Sequence, residues 1–245
     1  MSSTDPYGAA ARAYDLFYRT KDYAGEVDEI VELVDARVPG AQSVLDVGCG
    51  TGAHLEHLAT RYERAEGIEA SPRMIEEATI ARPGLLVYPG DMRTFRVRDR
   101  YDVVTCLFSA IGYMTTVEDL DHAIANMAEH LREPGLLVVE GWVERDHWDE
   151  HHRAVAQAEI ADDIVATRVI LSGRDGDVST LDMHYVFATL DGVTDVQERH
   201  RLGLFTPAQY RAAFVAAGLA YERVDGLSGR GVHLGVKGTR SPRAG

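Results

Sequence analysis

The chain has 245 residues, of which 45% are hydrophobic and 26% charged, so the sequence favours a globular protein of one domain, with or without an insertion, over a disordered or fibrous one. Its 39 acidic and 25 basic residues give a formal charge of −14, which argues against non-specific binding to nucleic acid or to an anionic membrane. The N-terminal segment has no basic stretch followed by an apolar one, and apolar runs such as 136–139 are too short to span a bilayer, so we expect a cytoplasmic protein.

The first part of the chain, residues 1–152, alternates short β-type runs with helix-type segments, the pattern of βαβ units in a parallel sheet. The β-type runs are predicted at residues 43–47, 65–69, 85–88, 102–108 and 136–140. The helix before the first run is expected to end at Pro39-Gly40, and the helix before the last run to extend to Leu131. A third helix has a clear start, because Ser71 supplies an N-cap and Pro72 suits the first helical position.

The pattern changes over residues 153–204. Three or four long alternating β-type runs are separated there by turn signals at 173–176 and 191–192. We predict an antiparallel β insertion that acts as a lid or as a dimer contact.

The core pattern resumes over residues 205–238. Thr206-Pro207 is a helix start, the helix is expected to stop at Gly218, and two further β-type runs follow. Residues 239–245 are expected to form a loose tail.

A glycine-rich turn separates the first β-type run from the helix after it. Gly48, Gly50 and Gly52 lie there at alternating positions, where glycine permits positive φ and a close approach of a ligand to the backbone. About twenty residues later, Glu69 ends the second run, from which a carboxylate can accept hydrogen bonds from both hydroxyls of a ribose. Asp46, at the end of the first run, either orients the turn or lies near the ligand. Together these residues predict a nucleotide-binding site.

The G-x-G-x-G spacing differs from the G-x-G-x-x-G of dinucleotide-binding enzymes. It resembles the S-adenosylmethionine loop of class I methyltransferases. The segment Gly90-Asp91-Met92 after the third run adds to the resemblance, because that family uses an acid there to receive the adenine amino group and the next backbone amide to bind the ring. The resemblance implies S-adenosylmethionine as methyl donor, S-adenosylhomocysteine as product, and an α/β fold with a Rossmann-like, mostly parallel seven-stranded sheet whose last strand is antiparallel.

A closer resemblance extends over most of the chain. It is carried by the segments Tyr14–Tyr18, Lys21–Tyr23, Leu45–Gly52, Gly90–Arg93, Phe108–Tyr113 and Ser228–Gly231. These are similar to segments of the N,N-dimethyltransferases that finish nucleotide-linked amino sugars of the desosamine and mycaminose type. The resemblance implies that the chain methylates, twice, the amine of a thymidine-diphosphate (dTDP) 3-amino-deoxysugar in antibiotic biosynthesis.

The resemblance also assigns residues to the two substrates. Tyr14, Tyr23 and Phe108 would lie near the donor, with the glycine turn. The acceptor would contact Tyr7, Tyr113, Trp142, Ser228 and Arg230. Tyr113 would lie near the sugar amine and accept or relay its proton, with water or Glu140 as alternatives, and Arg230 would lie near the diphosphate. This chain has Glu140-Gly141-Trp142-Val143 where the family commonly has Glu-Pro-Trp-Trp, which leaves the exact sugar open.

Plainer interpretations remain for several of these residues. Tyr14 and Tyr23 could pack the N-terminal helix onto the sheet, and Arg230 could be a solvated surface arginine. Cys49 and Cys106 form no C-x-x-C pair and are expected to be packing residues. The ten histidines suggest no metal site, since His151 and His152 are adjacent, and His54 and His57 are expected on one exposed helix face.

Other functions are also open at this point. The chain could methylate a different small amine or a hydroxyl, bind S-adenosylmethionine without catalysis, or be an oxidoreductase. A homodimer is an expected assembly, and neither nucleic acid nor membrane is an expected partner.

Overall fold

The computed structural model describes residues 11, 14–161, 164–226 and 230–238. The α-helices are α1 (Tyr14–Tyr18), α2 (Tyr23–Asp35), α3 (Ala53–Leu58), α4 (Pro72–Ala81), α5 (Val117–Glu129) and α6 (Pro207–Ala216). The strands are β1 (Ser43–Val47), β2 (Arg64–Glu69), β3 (Leu86–Pro89), β4 (Tyr101–Cys106), β5 (Leu131–Glu140), β6 (Arg153–Ala161), β7 (Ile164–Asp175), β8 (Val178–Thr189), β9 (Gly192–Gly203), β10 (Ala220–Val224) and β11 (Val232–Lys237). Short 3-10 helices cover Ala110–Tyr113 and Arg145–His147.

Seven strands form a main sheet in the order β10-β11-β5-β4-β1-β2-β3. Strand β11 runs antiparallel to both of its neighbours, β10 and β5, and the other neighbouring pairs are parallel. The predicted Rossmann-like sheet with an antiparallel last strand is confirmed.

Helices cover both faces of the main sheet and bury its central strands. All five residues of β1 are buried, as expected for a parallel strand with helices on either side. Leu45 and Val47 pack on the face covered by α5 and α6, and Val44 packs on the face covered by α2. The core thus holds the carboxyl ends of the parallel strands in one place.

Two helix starts agree with the sequence signals. The Ser71 hydroxyl accepts a hydrogen bond from the amide of Met74, and Pro72 occupies the first helical position of α4. Thr206 and Gln209 form a reciprocal capping box at the start of α6.

Several boundaries differ from the prediction. Helix α2 ends at Asp35, four residues before Pro39, and Leu131 begins β5 instead of ending α5. The fourth strand stops at Cys106 because the backbone turns sharply just after it. The turn between β7 and β8 lies at 176–177, so residues 173 and 174 belong to a strand.

Strands β6 to β9 form a second, antiparallel sheet in sequence order. Along β9 the residues alternate, with 196, 198, 200 and 202 more buried than their neighbours. This inner face packs on the 110–113 helix, where a Cβ added to Gly112 would lie 2.9 Å from Leu202. The second sheet therefore lies over the carboxyl ends of β4 and β5.

Every helix in the described ranges is too short or too polar to cross a membrane. The same residues contain no group of three or more His, Cys, Asp or Glu side chains placed to hold a metal ion. Cys49 and Cys106 are free thiols, and burial raises the pKa of each, in keeping with their expected packing role.

Candidate active site

Two adjoining cavities lie at the carboxyl ends of the parallel strands, where open α/β sheets bind their ligands. The first, of about 430 Å³, is lined by the loops after β1, β2, β3 and β4. The second, of about 520 Å³, lies between the loops after β4 and β5 and the inner face of the second sheet. Tyr14, Phe108 and Tyr113 line both cavities. Ligands in the two cavities would therefore meet at these three aromatic side chains.

The glycine turn lines the first cavity. Gly48 has φ +74°, and a Cβ there would lie 2.7 Å from the Cβ of Ala110, so a side chain would collide. Gly50 also has a positive φ, +57°, and lines the cavity. Gly52 begins α3 with φ +85°, but it faces Leu85 and does not line the cavity. Two of the three predicted glycines thus reach the cavity, and the third shapes the turn.

Glu69 joins the glycine turn to the loop after β2. Its side chain is buried, and its two oxygens accept hydrogen bonds from the amides of Gly50 and Ser71, each at 2.8 Å. These two hydrogen bonds fix the orientation of the Glu69 carboxylate. It lies at the wall of the first cavity.

Asp46 reaches the first cavity from the end of β1. It is 2% exposed and accepts a hydrogen bond from the Thr105 hydroxyl of β4 at 2.8 Å. Burial raises the pKa of Asp46, and the nearby His54 and Thr105 offset only part of that effect. The structure thus bonds Asp46 to the neighbouring strand and brings it to the cavity.

The expectation that His54 is exposed is wrong. It is 7% exposed and lines the first cavity, with Nε2 2.7 Å from Glu26 Oε2, whereas His57 is partly exposed. Burial acts to raise the pKa of Glu26, but hydrogen bonds from His54 and Lys21 outweigh it and lower the pKa. Helix α3 begins at the glycine turn, so its first residues face the cavity. The position of His54 directly after that turn was the sequence signal for this placement.

Tyr23 brings a buried hydroxyl to the wall of the first cavity, with no hydrogen-bond partner within the described residues. Burial raises its pKa, and the charges of Asp15 and of neighbouring acidic groups add to the effect. A neutral phenol left unpaired costs free energy unless a ligand satisfies it. This hydroxyl is therefore an independent indication that the cavity binds a polar group.

Asp91 and Met92 line the first cavity at the end of β3. Arg93 donates hydrogen bonds to both oxygens of Asp91 and holds the pKa of that carboxyl below its usual range. Met92 lies against the glycine turn, 3.7 Å from the Cβ position of Gly48. Asp91 is thus an ionised carboxylate in the wall of the first cavity.

Helix α1 lies where the two cavities meet. The Asp15 carboxylate accepts a hydrogen bond from the Thr51 hydroxyl at 2.6 Å, which ties the helix to the glycine turn. The Tyr18 hydroxyl accepts one from Arg168 of the second sheet at 3.2 Å. Tyr14, on the same helix, lines both cavities, so it does more than pack the helix onto the sheet.

A sharp turn follows β4. Phe108 and Ser109 have φ +49° and +62°, a conformation that costs residues with side chains roughly 1–2 kcal/mol each. The buried Glu140 stabilises it by accepting a hydrogen bond from the Phe108 amide at 2.6 Å, and the Ser109 hydroxyl donates to the Gly141 carbonyl at 2.7 Å. Glu140 lines neither cavity, so its observed role is to hold the turn.

Tyr113, Trp142 and Arg230 come together in the second cavity. A guanidinium N–H of Arg230 donates to the Ser109 hydroxyl at 3.0 Å, and its central carbon lies 4.9 Å from the centre of the Trp142 ring. The Trp142 indole N–H donates to the hydroxyl of Ser179 at 3.0 Å. Arg230 is therefore held inside the site and is not a solvated surface arginine.

The second cavity has a cationic lining. Lys21, Arg168 and Arg230 all contribute to it, and Arg168 is 8% exposed, with its guanidinium over the ring of Phe17 at 4.7 Å. Nothing in the sequence indicated that Arg168 and His200 line a cavity. Alternation along a strand shows which face is buried, but not which part of the protein that face packs against. Tyr7 and Ser228 lie outside the described residues.

Comparisons with known proteins agree with this geometry. The family model described as "Methyltransferase domain" matches residues 44–135. A dTDP-3-amino-3,6-dideoxy-alpha-D-glucopyranose N,N-dimethyltransferase of Streptomyces fradiae is 39% identical over 96% of this chain and 94% of its own length. A dTDP-3-amino-3,4,6-trideoxy-alpha-D-glucopyranose N,N-dimethyltransferase of Streptomyces venezuelae is 40% identical over 92% and 97%. A dTDP-4-amino-2,3,4,6-tetradeoxy-D-glucose N,N-dimethyltransferase of Saccharopolyspora spinosa is 37% identical over 93% and 92%.

Solved structures give the same result. The crystal structure of Streptomyces venezuelae DesVI superposes with a TM-score of 0.87, at 39% identity, over 93% of this chain and 98% of that one. The S-adenosylmethionine-bound CalS10, an amino pentose methyltransferase from Micromonospora echinaspora, superposes with a TM-score of 0.80, at 34% identity, over 96% and 97%. Together with the site geometry, these matches confirm the resemblance seen in the sequence, and the chain belongs to the family of S-adenosylmethionine-dependent N,N-dimethyltransferases of dTDP-linked amino sugars.

Proposed function

We propose that the chain transfers two methyl groups in succession from S-adenosylmethionine to the amine of a dTDP-linked 3-amino-deoxysugar. The observation that carries this proposal is that two cavities, each suited to one substrate, meet at Tyr14, Phe108 and Tyr113. A methyl group passes directly from donor to acceptor, so the two substrates must bind side by side.

The residues of the first cavity fit the methyl donor. Gly48 leaves room for close approach, Glu69 suits the ribose hydroxyls, and Asp91 suits the adenine amino group. The unpaired Tyr23 hydroxyl offers a hydrogen bond to a polar group of the donor. The proposal assigns to the donor Tyr14, Tyr23, Asp46, Gly48, Gly50, Glu69, Asp91, Met92 and Phe108. When bound, S-adenosylmethionine supplies an electrophilic methyl group on a positively charged sulfur.

The second cavity fits a nucleotide-linked acceptor. Lys21, Arg168 and Arg230 suit a diphosphate, and the planar guanidinium of Arg230 presents its donors as a fork. The indoles of Trp142 and Trp148, with ring centres 5.9 Å apart, offer apolar faces to the base or the deoxysugar. Tyr7 and Ser228 are proposed as further acceptor contacts.

Methyl transfer to an amine needs little acid or base catalysis. The amine must be neutral to attack, and each methylation leaves the nitrogen with one proton to lose. Alignment and exclusion of water supply most of the rate, and Tyr113 is the group proposed to accept or relay the proton.

The second sheet supplies one wall of the acceptor cavity, which supports a lid role for residues 153–204. The homodimer stays a prediction, which light scattering of the purified protein would test.

The test is a mass-spectrometric assay with S-adenosylmethionine and a dTDP-3-amino-3,6-dideoxyhexose. We expect successive gains of one and then two methyl masses. The matched comparison is the dTDP-4-amino isomer, since the Saccharopolyspora spinosa relative is named for a 4-amino sugar, and we expect slower turnover of it.

Turnover of the 4-amino isomer alone would show that the reacting amine is on carbon 4 of the sugar. No gain with either sugar, while the donor still binds in a calorimetric titration, would discard this acceptor class and leave a different amine or a hydroxyl to be found.

A further inference from the structure

Tyr113 is paired with a histidine of the second sheet. Its hydroxyl lies 2.7 Å from Nδ1 of His200, which is on β9 and is 3% exposed. Nε2 of the same imidazole lies 3.6 Å from a carboxylate oxygen of Glu198, whose side chain is 6% exposed. These buried groups form a row that begins where the two cavities meet.

The fold holds this row in place. Glu198 and His200 are two residues apart on β9, so both point to the inner face of the second sheet. The 110–113 helix packs tightly on that strand, and Gly112 leaves no space for a side chain between Leu202 and Trp142. Tyr113 and His200 are therefore carried by two rigid elements in close contact.

The tautomer follows from the chemistry of a phenol that must accept a proton. If the Tyr113 hydroxyl donates to Nδ1 of His200, the imidazole proton lies on Nε2, on the side of Glu198. In this arrangement the phenol oxygen is the donor toward His200 and faces the cavity as a candidate acceptor.

We propose, resting on the function proposed above, that His200 is a positioning residue that orients the Tyr113 hydroxyl and receives the proton that Tyr113 takes from the sugar amine, with Glu198 balancing the charge. In each round the amine lone pair forms the bond to the methyl carbon, and the carbon–sulfur bond breaks with its electron pair on sulfur. The new ammonium loses one proton to Tyr113 Oη while the phenol proton moves to His200 Nδ1. Tyr113 ends neutral, and release of the proton to solvent resets His200 for the second methylation.

The surroundings explain the need for Glu198. The cations Lys21, Arg168 and Arg230 line the same cavity and oppose a positive imidazole, with Asp149 as the carboxylate of the lining and His147 and His152 as its other imidazoles. The phenols of Tyr14, Tyr18 and Tyr185 complete the titratable lining. Among the described residues, Glu198 is the carboxylate that pairs with His200, and it offsets these cations.

The test is steady-state kinetics of His200→Asn with donor and amino sugar between pH 6 and pH 9. Asparagine can keep a hydrogen bond to Tyr113 but cannot take up the proton. We expect kcat to fall about 100-fold at pH 7, with KM and donor affinity within about twofold of wild type. The loss should shrink toward pH 9, where hydroxide in solution can take the proton from the new ammonium in place of the relay. His184→Asn, on the opposite face of β8, is the matched control and should keep full activity.

A double-mutant cycle separates the relay from a structural effect. In a Tyr113→Phe background, His200→Asn should cost less than about twofold, because the path is already broken. A pH-independent loss, an equal loss in the Tyr113→Phe background, or a kcat within twofold of wild type would each overturn the relay while leaving the proposed function intact. A wild-type enzyme that binds the donor but turns over no amino sugar would overturn the proposed function and the relay with it.

Discussion

The two cavities differ in whether backbone or side chains shape them. The first is shaped by backbone at strand ends, with Gly48 at the turn and Glu69 held by two amides. The second is shaped by long side chains, with Arg168 packed against aromatic rings and Arg230 held by a hydroxyl and an indole. Backbone conformation tolerates little change, whereas side chains can be exchanged one at a time. Substitutions in the first cavity should therefore weaken donor binding through backbone strain or lost backbone hydrogen bonds, and those in the second should raise the acceptor KM side chain by side chain.

The largest effect is expected for Gly48→Ala. The added Cβ would collide with Ala110 and the residue would keep a positive φ, so donor affinity should fall at least about 100-fold, from roughly 3 kcal/mol of strain. Gly50→Ala is the matched control, because φ is also positive there but no atom lies within 4 Å of the new Cβ. We expect Gly50→Ala to lower donor affinity about tenfold, from the positive φ alone. Calorimetric titration with S-adenosylmethionine measures both, and equal losses would contradict the steric argument.

Glu69→Gln should weaken donor binding about 30-fold, because an amide cannot accept from both the Gly50 and Ser71 amides. Glu66→Gln is the control on the same strand. Glu66 is also buried but pairs with Arg64 and Tyr101, away from the cavity, so its loss should lower the melting temperature and spare donor affinity. An unchanged titration in Glu69→Gln would remove Glu69 from the donor site.

Arg230→Ala should raise the acceptor KM about 10-fold to 100-fold and leave donor affinity unchanged, since a charge-assisted hydrogen bond is lost. Arg230→Lys should have an acceptor KM between those of the wild type and Arg230→Ala, because lysine keeps the charge but not the planar fork of donors. Arg199→Ala, on the exposed face of the second sheet, is the control and should keep the wild-type KM. A KM unaffected by both Arg230 variants would contradict the diphosphate assignment.

The smallest effect on substrate binding is expected outside both cavities, at His233 of β11, where the change is in folding stability. Burial, with a contribution from Arg223, lowers its pKa to about 3. The unfolded chain, with a histidine pKa of about 6.5, binds this proton first, so folding stability should be full above pH 6.5 and fall by up to about 1.4 kcal/mol per pH unit below it.

His233→Phe should flatten this dependence between pH 6.5 and pH 4.5, before most carboxylates titrate, as measured by urea unfolding. Some slope should remain, because burial also lowers the pKa of His130. Identical slopes in variant and wild type would show that His233 is protonated in the folded protein.

The difference between the cavities also explains what could be predicted from the sequence. Asp46 and Gly48 lie at the end of the first apolar run, Glu69 at the end of the second and Asp91 just after the third. The carboxyl ends of parallel strands meet at one edge, so the convergence of these residues follows from pattern alone. Strand limits were less certain, because the turn at Phe108 depends on Glu140, a distant partner.

No such pattern in the sequence marked the residues of the second cavity. Arg168 and His200 lie on alternating strands of an antiparallel sheet, and nothing local indicates that their shared face covers the ends of β4 and β5. His54 was misplaced because a helix of six residues is too short for its apolar face to be identified. Only tertiary packing brings Arg168 and His200 to the second cavity, whereas the position of His54 just after the glycine turn was a usable signal.

The antiparallel position of β11 has a consequence for synthesis of the protein. The second sheet pairs only strands that are neighbours in the chain, so it can form as soon as it has been made. Strand β5 instead pairs with β11, with Glu140 opposite Val232 at the end nearest the site, and Arg230 lies two residues before the start of β11. The nascent chain therefore acquires the donor cavity first and a finished acceptor cavity only after residues 230–237 have left the ribosome.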